Sequence, residues 1–154
     1  EAAGRPHVGQ DEDEDGEETD MMVTMISAGV IGLLLVGLAF RVSLLRRAGG
    51  VSLGDGGNPR LLAAVRAHAN CTEWAPIGLI LLALAERSAG PVWYVIALAV
   101  LFVGARLLHP LGMASPTPHP ARAAGALLTY ATVAVLAVLV IVRALPHCAT
   151  CGAA

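Results

Sequence analysis

The chain contains no lysine; all ten of its basic residues are arginine. Aromatic residues make up only 4% of it and charged residues only 14%. An average soluble domain carries roughly 25% charged residues. So few charges cannot cover a surface that faces water on all sides. The three cysteines, Cys71, Cys148 and Cys151, are an odd number, which excludes a complete disulfide framework. Cys148-Ala-Thr-Cys151 has the spacing of a redox pair, but no strand–helix–strand pattern surrounds it. A zinc site there would need more ligands than His147 and this pair supply. What fills the chain instead is aliphatic: hydrophobic residues reach 56% and the mean hydropathy is +0.68. At 154 residues, one domain is expected.

The formal net charge of −2 conceals a segregation. Residues 1–20 hold nine acids, five of them in the run Asp11-Glu12-Asp13-Glu14-Asp15, and a single base, Arg5. Such a self-repelling stretch has no apolar periodicity and is expected to be a disordered acidic tail. The remainder holds nine arginines and three acids, Asp55, Glu73 and Glu86.

Four apolar segments follow. The first spans about residues 21–46 and has no charge between Asp20 and Arg41. About 20 apolar residues are needed to cross about 30 Å of hydrocarbon, and residues 21–40 satisfy that. Acids rather than bases precede it, which favours a retained helix over a cleaved leader. Breakers at Gly49-Gly50 and at Gly54-Asp55-Gly56-Gly57-Asn58 mark a loop, and Pro59 suits the first turn of a second helix, about 59–86. A third helix is expected at about 91–109, ending before Pro110, and a fourth at about 121–145. Residues 146–154 read as a short C-terminal tail. The fold class is therefore an all-α, four-helix transmembrane bundle. Arg41, Arg46, Arg47 and Arg60 flank the first loop, and Arg106 and Arg122 flank the third. Positive charge is retained on the cytoplasmic side, so loops 1 and 3 are expected in the cytoplasm and both termini outside.

The second helix carries the chemistry. Arg66, Asn70 and Glu73 fall within an arc of about 60° on a 3.6-residue helix, and Glu73 lies about 10 Å deeper than Arg66. An ionised group at mid-bilayer costs at least about 2.5 kcal/mol, so this stripe is expected to be buried against other helices or a wet cavity. The plainest use of it is an interhelical clamp, with Glu73 paired to an arginine and Asn70 bridging backbones. The arginine excess argues for more than that. Some arginines snorkel to headgroups, and the rest could line an anion pocket. His68 points about 160° away from the stripe. Cys71 reads as a small packing residue. Pro76 should kink the helix or free a carbonyl near Thr72. At the end of the third helix, Arg106, His109 and Met113 share a face, and Arg122 opens the fourth at the same membrane level. Arg106 or Arg122 alone would read as an interfacial anchor; with Arg66 they converge on one leaflet.

The run Arg66-Ala-His-Ala-Asn70-Cys-Thr-Glu73-Trp-Ala-Pro76 resembles the signature of the MAPEG family, the membrane-associated proteins in eicosanoid and glutathione metabolism. Gly54-Asp-Gly-Gly57, Ala105-Arg106-x-x-His109-x-x-Gly112 and Arg122-x-x-Gly125 look like its bacterial inner-membrane branch. The likeness covers about residues 21–145. It implies a homotrimer in the cell inner membrane, with glutathione as co-substrate held between neighbouring subunits on the cytoplasmic side. By motif match, Arg66, Asn70 and Glu73 would bind the tripeptide, Arg106 and His109 would extend that set, and Arg122 would stabilise its thiolate. No metal is implied. Eukaryotic members place tyrosine where Trp74 stands and carry tyrosines where this chain has His109 and Met113.

The chemistry of glutathione agrees with that residue set. Two carboxylates and one ammonium call for cations plus a carboxylate such as Glu73. A guanidinium beside a thiol favours the nucleophilic thiolate. The expected function is a glutathione-dependent transferase or peroxidase acting on lipophilic electrophiles, which would reach the site laterally through the bilayer. The alternative is a non-catalytic membrane scaffold that keeps the fold and uses the stripe for assembly.

Overall fold

In the computed structural model, residues 21–89, 92–114 and 119–151 are described, with side chains through residue 145. The chain forms four helices in sequence: α1 (Met22–Gly49), α2 (Pro59–Ala89), α3 (Trp93–Met113) and α4 (Pro120–Cys151). Among the described residues there is no strand. α1, α3 and α4 through Leu145 are each long and apolar enough to cross a membrane. α2 is the most polar of the four. Its 31 residues are long enough to span, but five of them are charged: Arg60, Arg66, Glu73, Glu86 and Arg87.

Local chemistry sets the helix ends. α1 closes at Gly50, whose φ of 64° lets its N–H turn back to the carbonyls of Arg46 and Arg47. Asn58 starts α2: its side-chain oxygen accepts the N–H groups of Arg60 (2.9 Å) and Leu61 (3.3 Å), with Pro59 in the first turn. α1 has no side-chain cap of its own at Met21. The cap comes from α2 instead. Glu86 is fully buried, and its carboxylate accepts the N–H of Val23 at 2.9 Å, the N–H of Thr24 at 2.8 Å and the Thr24 hydroxyl at 2.6 Å.

The helices pack antiparallel in chain order. α1 lies on α2 and α3; α4 lies on α3 and α2. The buried positions of α2 are Leu61, Ala64, Ala67, Cys71, Ala75, Gly78, Leu82 and Ala85. These recur every three or four residues and most are small, which lets helix backbones approach closely. A Cβ added at Gly78 would overlap the Phe102 ring of α3. The core has three levels. Leu82, Ala85, Val95, Ala99 and Leu136 fill the end near Glu86; Ile31, Ala75 and Phe102 fill the middle. Leu38, Ala67 and Cys71 fill the opposite end, where Cys71 is a buried free thiol.

Four helix boundaries differ from those read from sequence signals. α1 runs to Gly49 rather than 46. α2 runs to Ala89 rather than 86, because Glu86 is drawn into the bundle and its turn is held there. α3 does not stop before Pro110 but continues to Met113. A proline costs a helix one donor and one close carbonyl contact. Here Pro110 and Gly112 are both buried, and packing on α4 holds the last turn. α4 continues past 145 to Cys151, so the segment expected as a tail is helical that far. The expected start of the third helix at Pro91, the acidic tail and the side chains of Cys148 and Cys151 lie outside the described residues.

Candidate functional site

The centre of the site is Arg106, on α3. The sequence reading allowed it to be a membrane-edge anchor; it is instead 1% exposed, inside the bundle. One terminal nitrogen donates to the Asn70 side-chain oxygen of α2 at 3.0 Å and lies 3.4 Å from the Asn70 carbonyl. The other donates to the Thr129 hydroxyl of α4, which itself donates to the Gly125 carbonyl at 2.7 Å. One guanidinium thus joins three helices through neutral acceptors. Its Nε has no partner among the described residues. A clamp of the expected kind does exist, but its members are Arg106, Asn70 and Thr129, not Glu73.

Two glycines bring the end of α3 against the start of α4. A Cβ on Gly125 would lie 2.8 Å from the backbone nitrogen of His109. A Cβ on Gly112 would overlap the backbone of Arg122. Only glycine permits this crossing. It buries His109 and sets Arg122 beside it.

Above this crossing a cleft of about 380 Å3 opens, lined by Asn70, His109, His119, Arg122, Tyr130 and two alanines of α4. It contains no acid. Three of the sequence-derived site residues, Asn70, His109 and Arg122, therefore meet in one cleft, and Arg106 braces it through Asn70. Trp74 of α2 packs against the cleft residue Tyr130 with ring centroids 4.9 Å apart.

Arg66 and Glu73 are arranged differently. The sequence argument has the whole Arg66–Asn70–Glu73 stripe buried. Within the chain only Asn70 is partly covered; Arg66 and Glu73 are exposed. The buried face of α2 is its alanine, cysteine and glycine stripe, and a helix cannot bury both faces against only three neighbours. Neither Arg66 nor Glu73 makes a hydrogen bond or ion pair with any of the described residues. The Arg122 side chain is likewise exposed and unpaired among them.

His119, Thr129 and Tyr130 were not identified from sequence. Thr129 and Thr132 are polar residues within an otherwise apolar helix, a signal that could have marked the buried face of α4. His119-Pro120 precedes α4 as a capping residue precedes a helix. No comparable signal marks Tyr130. Among the described residues, no group of three or more His, Cys, Asp or Glu side chains comes together to hold a metal ion.

The fold and this site define a class. A four-helix membrane bundle with Arg66, Asn70 and Glu73 along its second helix is matched over residues 24–142 by the model of the MAPEG family. The chain belongs to that family and is a multi-pass membrane protein. It is similar to the inner membrane protein YecN of Escherichia coli K12, with 34% identity over 91 residues, 59% of this chain and 70% of that protein. YecN of Escherichia coli O6:H1 strain CFT073 matches to the same extent.

Proposed function

We propose that the protein is a glutathione-dependent transferase or peroxidase of the inner membrane, acting on lipophilic electrophiles. In this reading it works as a homotrimer, with glutathione held between neighbouring subunits. One observation carries it. Arg66 and Glu73 are charged, exposed and without a partner among the described residues, on a membrane helix. Leaving Glu73 against lipid costs at least about 2.5 kcal/mol near mid-bilayer, and Arg66 lies on the same face about 10 Å nearer the helix start, so a cover from outside the chain serves both. A second subunit and a zwitterionic peptide together meet that need: Arg66 takes a carboxylate, and Glu73 takes the ammonium. Asn70 is fixed beside them by Arg106. The adjacent cleft offers Arg122 as the cation that favours thiolate over thiol. An electrophile dissolved in the bilayer would arrive laterally, while the thiol arrives from water. The arginines flanking loops 1 and 3 set the orientation of this reading, with those loops cytoplasmic and both termini outside.

The test uses the purified assembly in detergent, titrated with glutathione and assayed with a chloronitrobenzene. Saturable binding and conjugate formation are expected. Absence of binding at millimolar thiol, with the oligomer intact, would refute the proposal.

The Arg106–Asn70–Thr129 clamp favours a second reading, a non-catalytic scaffold, because it is a purely structural use of two conspicuous polar residues. Glu73→Gln and Arg66→Leu separate the two. In the enzyme they abolish thiol binding and leave a trimer. In the scaffold they break the oligomer.

A further inference from the structure

We infer that His119 is a second hydrogen-bond donor to the reactive sulfur in this cleft, acting beside Arg122; the inference rests on the proposed thiol site. His119 opens α4. Its Nδ1 accepts the N–H of Ala121 at 3.2 Å, and its carbonyl accepts the N–H of Arg122 at 3.0 Å. It is an N-cap in which an imidazole nitrogen does the work of the usual hydroxyl or amide oxygen. That bond has a chemical consequence. An Nδ1 that accepts carries no proton, so in the neutral ring the proton is on Nε2. The ring lines the same cleft as Arg122, three residues on and so one helical turn along α4.

While that bond holds, the ring presents a donor at Nε2 and not a base. It cannot take the thiol proton at Nε2 while one is already there. When the S–H bond ionises, the proton leaves to water and the electron pair stays on sulfur. The Nε2–H of His119 and the guanidinium of Arg122 then both donate to the thiolate. The cleft suits this role because none of its lining residues is an acid that would compete for the two donors. The arrangement also ties helix geometry to chemistry. The bond that starts α4 is the one that aims the donor.

His119→Gly tests the inference, because glycine is well tolerated at an N-cap and leaves no side-chain donor in the cleft. Glutathione bound to the full-length assembly is followed by its ultraviolet thiolate absorbance across pH. S-methylglutathione, which has no ionisable sulfur, is titrated in parallel. The expected result is an ionisation constant of the bound thiol about tenfold lower in the variant, as for one lost hydrogen bond to an anion, with S-methylglutathione affinity unchanged. An unaltered ionisation constant overturns the inference. So does an S-methylglutathione affinity that falls by the same factor, which would make His119 a general contact and not a sulfur ligand. Wild-type protein that binds no glutathione at all overturns the thiol site itself, and this inference with it.

Discussion

Glu86 and Thr24 are 62 residues apart in the chain, yet Thr24 donates both its backbone N–H and its hydroxyl to one oxygen of the buried Glu86 carboxylate. The first helix is thus capped by the second. Glu86→Ala leaves the amides of Val23 and Thr24 without an acceptor in a dry setting, at about 1–3 kcal/mol for each buried group left unpaired. A loss of several kcal/mol is expected in reversible denaturation from micelles. Glu86→Gln keeps one acceptor and should lose less than Glu86→Ala. Equal stability of Glu86→Ala and wild type would mean that the cap contributes nothing.

The α3–α4 crossing depends on its glycines. Gly125→Ala puts a methyl 2.8 Å from the His109 backbone nitrogen, and backbone cannot swing aside. The expected cost is about 1–3 kcal/mol, as for other overpacked positions, with a wider α3–α4 spacing measurable between spin labels. Gly104, where an added Cβ meets nothing within 4 Å, is the control: Gly104→Ala should be neutral or slightly stabilising.

Arg106 is a buried cation held by neutral acceptors. Asn70→Leu removes the side-chain acceptor and leaves only the backbone carbonyl at 3.4 Å and Thr129, which is expected to cost about 1.5–3 kcal/mol, as for other hydrogen bonds to charged groups. Asn70→Asp supplies a carboxylate in the same place and should cost far less. Thermal stability of the two variants in one detergent checks the order. The reverse order would mean that Arg106 does not depend on Asn70.

How far the sequence foresees this structure depends on the range of the interaction concerned. The spans are legible because uncharged aliphatic runs about 20 residues long have few other fates. The α2 stripe is legible because helical periodicity places Arg66, Asn70 and Glu73 together. The end of α3 is not legible. Pro110 reads as a stop by local rules, and the packing that overrides it comes from Gly112 against Arg122, across the loop. Glu86 carries no local sign that its partners are Val23 and Thr24. The burial of Arg106 is likewise a three-helix property. Its acceptors lie 36 residues before it and 23 after it, so spacing along α3 reveals neither. His119 and Tyr130 enter the site only because α4 lies against α2 and α3.

The exposed charges on α2 predict a split between assembly and binding. Arg66→Leu and Glu73→Gln remove a charge from a surface with no partner among the described residues, so protomer stability should change by less than about 0.5 kcal/mol. Glutathione binding at millimolar concentration should be lost, because truncating one partner of a buried hydrogen-bonded charge pair costs about 2–5 kcal/mol. Calorimetric titration beside the melting curve reads both quantities. Loss of fold without loss of affinity would contradict this account of the stripe.

The most direct measurement is native mass spectrometry of the protein released from detergent, with and without glutathione. Our account predicts a trimer that gains glutathione masses saturably, and a Glu73→Gln trimer that gains none. A monomer that is stable alone, or a trimer that takes up no glutathione at millimolar concentration, would contradict the claim that Arg66 and Glu73 form one wall of a thiol pocket between subunits.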